Sequence, residues 1–272
     1  MNILEKIVVR KHEEIAESKK LRSISDLEKE ALFLRRNLSL SSVLREAETP
    51  QIISEFKRKS PSKGIINARV EPEIVTADYV KEGAAALSVL TDTDFFGGSF
   101  DDFLRARLAN PQIPMLRKDF IVDEYQLYEA KSIGADIILL IAACLSPEQV
   151  QTLARQAHAL GLEVLLEVHS TEELQQTLCD DVDMVGVNNR NLKTFETSTE
   201  TSLIISEHIP DSFVKISESG LQDPQTILEL FRAGYKGFLI GETFMKTTDP
   251  GAALADLQVQ LSKASNSNLL LL

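Results

Sequence analysis

The sequence predicts an α/β protein, a single (β/α)8 barrel carrying an N-terminal helical extension. Eight apolar, strand-like runs follow one another between residues 52 and 240, and helical stretches opened by Ser, Thr or Asp lie between them. Strand and helix alternating at intervals of roughly 20 to 35 residues is the pattern of parallel strands joined by crossovers, and eight such units suggest a closed barrel. An open doubly wound sheet usually places a glycine-rich turn after its first strand, whereas here that turn reads KRKSPSKG. A length of 272 residues falls within the range of one such barrel.

Ile3, Leu4, Ile7, Val8 and Ile15 recur at helical spacing among charged residues, so the chain opens on an amphipathic helix that must pack on something downstream. From Asp26 to Ala47 the pattern is charged and irregular, and Pro50 marks the entry to the first strong strand. Residues 1–48 therefore read as a helical extension packing on the barrel, 49–265 as the barrel and 266–272 as a tail. The expected strands are Ile52–Phe56, Ala86–Leu90, Ile113–Leu116, Ile137–Ile141, Val164–Val168, Met184–Val187, Phe213–Ile216 and Gly237–Ile240. The clearest helices are Ser146–Leu160, Thr171–Cys179 and Asp223–Ala233. The longest apolar run, Ile137 to Leu145, is about half the roughly 20 residues a membrane span requires and reads as a buried strand.

Composition narrows the function. A net charge of −12 disfavours a nucleic-acid partner, because affinity for a phosphate backbone is built from Lys and Arg spread over one face. A small anionic substrate would instead need a local basic pocket. Cys144 and Cys179 are the only cysteines and lack metal-type spacing, which suggests a reduced, cytoplasmic protein. Met1 to Lys20 interleaves charge with apolar residues and has no signal-peptide core, and no membrane partner is expected. The histidines at 12, 158, 169 and 208 show no metal-ligand spacing, and His169 reads as a surface residue near the start of a helix.

The polar residues at the C-terminal ends of the strands are the informative ones, since a barrel of this kind reacts there. Strand one ends Glu55-Phe56-Lys57, strand three Arg117-Lys118-Asp119-Phe120, and strand five Glu167-Val168-His169. Strand six ends Asn188-Asn189-Arg190 and strand seven Ser217-Glu218-Ser219-Gly220. Alternation puts Glu55 and Lys57 on one face above Ile53, pointing into the mouth together. Carboxylates and ammonium groups gathered in one mouth must pair, and coupled sites of that kind serve as acids and bases. Gly220 and Gly241, after strands seven and eight, sit in the loops that form the phosphate pocket of many barrels, and Ser60 and Lys63 add a hydroxyl and a charge.

The stretches ISEFKRKSPSKG (53–64), SVLTDTDFFGGSF (88–100), LRKDFIVDEYQ (116–126), LLEVHSTEEL (165–174), VGVNNRNL (185–192), ISESGL (216–221) and FLIGETFM (238–245) together resemble the indole-3-glycerol-phosphate synthase family, a set of TIM barrels. The charged N-terminal helix also resembles the extension that lies over the barrel mouth in that family. The resemblance implies that Lys118 is the general acid for ring closure, that Lys57 meets the substrate carboxylate and takes part in acid–base steps, and that Glu167 is the second acid–base residue, for the dehydration. Glu55, Asn188 and Glu218 would orient the substrate or the lysines, with Arg190 nearby. Ser60, Gly220 and Gly241 would serve the phosphate, and Phe96 and Phe120 the aromatic and apolar wall around the anthranilate ring; Lys63, Ser219 and Leu239 are further expected substrate contacts. Position 242 is Glu where some members have Ser, which leaves the backbone N–H there for the phosphate. The implied reaction converts 1-(2-carboxyphenylamino)-1-deoxyribulose 5-phosphate to indole-3-glycerol phosphate, carbon dioxide and water. It has no redox change, so no cofactor and no metal are expected, and the partner is a phosphorylated small molecule. The chain is expected to be a monomer or weak homo-oligomer. A Schiff-base aldolase and a non-catalytic phosphate-ligand barrel stand as alternatives; phosphoribosylanthranilate isomerase would need a cysteine at the end of strand one, where Glu55-Phe56-Lys57 stands.

Overall fold

The computed structural model describes residues 2–191 and 194–269, without the side chains of 266–269; the end of the expected tail, 270–272, lies outside the described residues. Eight parallel strands close a barrel in sequence order: β1 (Gln51–Phe56), β2 (Ala86–Leu90), β3 (Met115–Lys118), β4 (Ile137–Ile141), β5 (Glu163–Val168), β6 (Met184–Asn188), β7 (Val214–Glu218) and β8 (Tyr235–Ile240). The crossovers are helical: α4 (Pro72–Lys81), α5 (Phe100–Ala109), α6 (Tyr125–Ser132), α7 (Pro147–Ala159), α8 (Thr171–Thr177), α9 (Glu200–Ser206) and α10 (Pro224–Arg232). A short α11 (Glu242–Met245) and the long α12 (Pro250–Leu269) complete the circuit. Local chemistry explains their starts. Ser146 and Gln149 form a reciprocal capping box before Pro147, and Asp223 accepts the backbone N–H groups of Gln225 and Thr226 before α10. Among the described residues no helix is long and apolar enough to cross a membrane.

Several boundaries differ from the sequence expectation for identifiable reasons. β3 starts at Met115, not Ile113, because Pro114 precedes it, and the strand carries Arg117 and Lys118 within the sheet. β7 runs to Glu218, so this carboxylate stands on the ladder, opposite Asn188. The apolar run Ile137 to Leu145 is not one strand: β4 stops at Ile141 and Ala142–Cys144 turns into a 3-10 helix. The stretch read as irregular, 26–47, contains part of α2 (Ile24–Leu27) and all of α3 (Leu40–Arg45), capped by Ser23 and Ser39. The last helix continues through Leu269, beyond the expected start of the tail at 266.

The interior is filled by inward residues that alternate along the strands, among them Ile53, Leu116, Ile137, Leu139, Leu165, Met184, Ile216 and Leu239. The N-terminal extension closes both ends of this core. At the base, Leu40 and Leu44 of α3 join the interior cluster, Glu163 accepts the backbone N–H of Leu40 at 2.9 Å, and Lys236 Nζ donates to the Ala47 carbonyl at 2.8 Å. At the mouth, α1 (Ile3–Leu21) adds Ile7 to the same cluster. Between them the chain runs down the wall, where Asp136 accepts from Leu38 N at 2.8 Å and pairs with Arg35 and with buried Arg107.

Candidate active site

A cavity of about 460 Å³ opens at the C-terminal ends of the strands. Every residue singled out from the sequence lines it: Glu55, Lys57, Ser60, Lys63, Phe96, Lys118, Phe120, Glu167, Asn188, Arg190, Glu218, Ser219, Gly220, Leu239 and Gly241. The strand register explains how. Residues at successive even steps point inward, so Lys118 faces the cavity while its neighbour Arg117 points away, stacking on Phe100 at 4.7 Å and pairing with Glu129 and Asp119.

Lys118 is the centre of the polar cluster. Its Nζ donates to Glu167 Oε2 at 2.7 Å and to Glu218 Oε2 at 2.8 Å. Burial opposes the charge on this ammonium, but Glu167, Glu218 and Glu55 outweigh it and hold the Lys118 pKa above the ordinary lysine value. Burial also opposes ionisation of Glu167, yet Lys118, His169 and the hydrogen bond from Asn188 Nδ2 at 3.2 Å keep its pKa below the usual range. Glu218 goes the other way: burial and the negative charges of Glu167 and Glu55 prevail over Lys118 and raise it. Two carboxylates on one ammonium are thus pushed apart in acidity, the condition under which one can act as base while the other holds a proton. Beside them Lys57 Nζ donates to Glu55 Oε1 at 2.6 Å.

Two glycines make room for this cluster. A Cβ at residue 186 would lie 2.4 Å from Glu218 Oε1, and one at residue 241 would lie 2.5 Å from Glu55 Oε1. Gly241 was expected for a phosphate contact; its backbone lines the cavity, and its missing side chain also seats Glu55.

The cationic end gathers the loops that follow β6, β8 and β1. Arg190 donates to Ser62 Oγ at 3.1 Å and pairs with Glu242 Oε2 at 3.1 Å, while Lys63 Nζ stands 3.9 Å from Glu242 Oε1. After β7 the backbone passes through two consecutive left-handed residues, Ser219 at φ 69° and Gly220 at φ 74°. A non-glycine held there costs on the order of 1–3 kcal/mol and persists where its surroundings demand it. Asn189 supplies that demand: its Nδ2 donates to Ser217 Oγ and to the Ser219 carbonyl, both at 3.0 Å. At the apolar end the rings of Phe96 and Phe120 lie 5.9 Å apart and inclined by 39°, with Leu239 and Ile141 further lining the cavity.

The structure corrects the reading of His169. It is no surface residue: its side chain is 11% exposed, its Nε2 lies 3.4 Å from Glu167 Oε1, and its Nδ1 lies 3.3 Å from Glu173. Burial works against its charge, but Glu173 and Glu167 raise its pKa above the ordinary histidine value. Sequence reasoning left out Ser62 and did not name the extension residues Ile3, Leu4 and Ile7 as part of the site, although they line the same cavity. The signals for the last three were their apolar stripe and the resemblance of the helix to an extension over the barrel mouth. Among the described residues no group of three or more His, Cys, Asp and Glu is placed to hold a metal ion.

Comparison with known proteins agrees with this geometry. Residues 4–257 match the family model described as Indole-3-glycerol phosphate synthase. A protein of that name from Bacteroides thetaiotaomicron is 49% identical over 255 residues, covering 93% of this chain and 96% of that protein. Another, from Polaromonas sp., is 43% identical over 94% of this chain and 98% of its own length. Among solved structures, a 3-hexulose-6-phosphate synthase superposes with a TM-score of 0.62 over 78% of this chain and 99% of its own, at 12% identity, a likeness of fold alone. A match over most of the length, together with relatives this similar, means that the chain belongs to the indole-3-glycerol phosphate synthase family.

Proposed function

We propose that this mouth closes the indole ring of indole-3-glycerol phosphate, the decarboxylating lyase reaction of tryptophan biosynthesis, and that the residues divide the work as follows. Arg190, Lys63 and Ser60 receive the phosphate of 1-(2-carboxyphenylamino)-1-deoxyribulose 5-phosphate, with the backbone of Ser219, Gly220 and Gly241 completing the pocket. Phe96, Phe120 and Leu239 take the aromatic ring, and Lys57 meets its carboxylate. The ring carbon bearing that carboxylate attacks the ketone carbon while Lys118 gives its proton to the ketone oxygen. The carboxylate then leaves as carbon dioxide and its electron pair restores the aromatic ring. In the last step Lys57 gives a proton to the new hydroxyl, which departs as water, while Glu167 removes the proton from the neighbouring carbon. Glu218, Glu55 and Asn188 orient the ammonium groups and Glu167.

The observation that carries this reading is the Lys118 ammonium held at 2.7 and 2.8 Å by two buried carboxylates within the cavity. It supplies a charged acid where negative charge develops, on a side chain that is only 13% exposed. A Schiff-base reading needs a neutral amine, which the same carboxylates oppose. Free cysteines at 144 and 179 support a reduced, cytoplasmic setting. The chain has no tryptophan, so indole formation can be followed directly by its fluorescence over a background of tyrosine. A saturable, protein-dependent rise supports the reading; folded protein that gives no rise, or that is covalently trapped by borohydride at Lys118, overturns it.

A further inference from the structure

One buried cation takes no part in the chemistry above. Lys11, on the face of α1 that otherwise buries Ile7 and Ile15, is 4% exposed. Its Nζ lies 3.0 Å from Asp92 Oδ2, 3.0 Å from Asp119 Oδ1 and 2.7 Å from Glu14 Oε2. Asp92 follows β2 and Asp119 follows β3, so an ammonium from the extension is inserted between the ends of two adjacent barrel strands.

The two aspartates are informative for what else they hold. Asp92 Oδ1 accepts the backbone N–H of Phe95 at 2.8 Å and of Phe96 at 3.1 Å. Asp119 Oδ1 accepts the backbone N–H of Phe120 at 2.8 Å, and its Oδ2 is bound by Thr91 and Arg117. Both aspartates that Lys11 clamps are therefore hydrogen-bonded to the backbone of a residue carrying one of the two rings in the aromatic wall. The dependence is unequal. Asp119 keeps Arg117 at 3.0 Å without Lys11, whereas Asp92 Oδ2 has no hydrogen-bond partner beyond this ion pair. A buried carboxylate stripped of its counter-ion moves toward water or takes up a proton, and either change releases the backbone it was holding.

We propose that Lys11 is a positioning residue for the aromatic part of the substrate: seating α1 over the mouth fixes Phe96 against Phe120 through Asp92 and Asp119. The proposal rests on the reading that these two rings receive the substrate's aromatic ring. It predicts that loss of the ammonium is felt by ligands with an aromatic ring and not by the phosphate end.

The test is binding of two probes, the unreactive substrate analogue whose ketone is reduced to an alcohol and inorganic phosphate, to the full-length protein and its variants. Lys11→Met is expected to weaken the analogue about tenfold and leave phosphate within about twofold, with Lys11→Arg restoring most of the loss. Equal weakening of both probes, or none, overturns the proposal, because a merely structural lysine would not discriminate between them. Phe96→Ala separates the two levels. If it leaves analogue binding intact, the ring-wall reading itself fails; if it weakens the analogue while Lys11→Met does not, only the role of Lys11 fails. Should Lys11→Met lack a cooperative thermal transition, Asp92→Ala removes the acceptor that Lys11 holds in place for Phe95 and Phe96, and the same selective loss is required of it.

Discussion

Replacing Lys118 with Met removes one charge and keeps nearly the same side-chain length. In the intact protein Glu167 and Glu218 meet that ammonium at 2.7 and 2.8 Å, and both carboxylates are buried. Without it two buried carboxylates face each other with no cation between them, and a buried pair broken in this way costs about 3–5 kcal/mol. Protonating one of them relieves part of that cost, which makes the penalty depend on pH. In the variant, burial and mutual repulsion raise the folded-state pKa above the unfolded value of about 4.3. The folded protein then binds more protons than the unfolded chain above that pH, so stability falls as pH rises through the folded-state value. The parent has the opposite sign at Glu167, whose depressed pKa contributes stability above about 4.3 that is lost on acidification through the lower folded-state value. The Lys118→Met penalty is therefore expected to be larger near pH 8 than near pH 5 when measured by urea unfolding. Removing the general acid should also lower turnover by about 10²–10⁴, read as indole fluorescence at saturating substrate. Turnover within tenfold of the parent refutes the role of the acid, and a penalty equal at both pH values refutes the electrostatic account of the cluster.

Glu167→Gln keeps a hydrogen-bonding side chain beside Lys118 but removes a proton acceptor, so kcat should fall by about 10²–10⁴ with KM changed much less, as steady-state kinetics will show. Glu242→Ser takes away the carboxylate paired with Arg190 at 3.1 Å and facing Lys63 at 3.9 Å; with that competing anion gone, inorganic phosphate should inhibit at several-fold lower concentration. Leu44→Ala empties a fully buried position in the base plug and should cost about 2–5 kcal/mol in urea unfolding, with kcat at saturating substrate unchanged in the folded fraction. Gly186→Ala forces a Cβ to within 2.4 Å of Glu218 Oε1, so it should lower kcat, and an unchanged pH–rate profile would show that Glu218 has no bearing on the titration of the cluster.

The position of the candidate acid–base residues at the mouth was legible because strand alternation turns a linear motif into a directional one. Once Ile53 is interior, Glu55 and Lys57 follow it to the mouth, and the same step separates Lys118 from Arg117. Residues whose roles depend on what another element brings to them were not legible. His169 looked like loop surface because nothing local announces that Glu173, four residues on, folds back to 3.3 Å from its ring. Lys11 is one charge among many on an amphipathic helix, and only the packing of α1 shows that it faces Asp92 and Asp119. The plug helix α3 spans six residues, too short for an apolar period to emerge from Leu40 and Leu44 alone.

The path of the N-terminal extension bears on how the chain acquires its structure during synthesis. Its residues are made before the strands they pack on, and their partners come much later: Leu40 waits for Glu163, 123 residues on, and Ala47 waits for Lys236, 189 residues on. Until β5 and β8 exist, the apolar side chains of Ile7, Leu40 and Leu44 have no barrel interior to join. The segment that seals both ends is thus translated before the strands it seals and finds its place only after them, a sequence of events dominated by long-range closure and exposed to misassembly in the interval. Slowing elongation after residue 50 would lengthen that interval without altering a single contact of the finished protein.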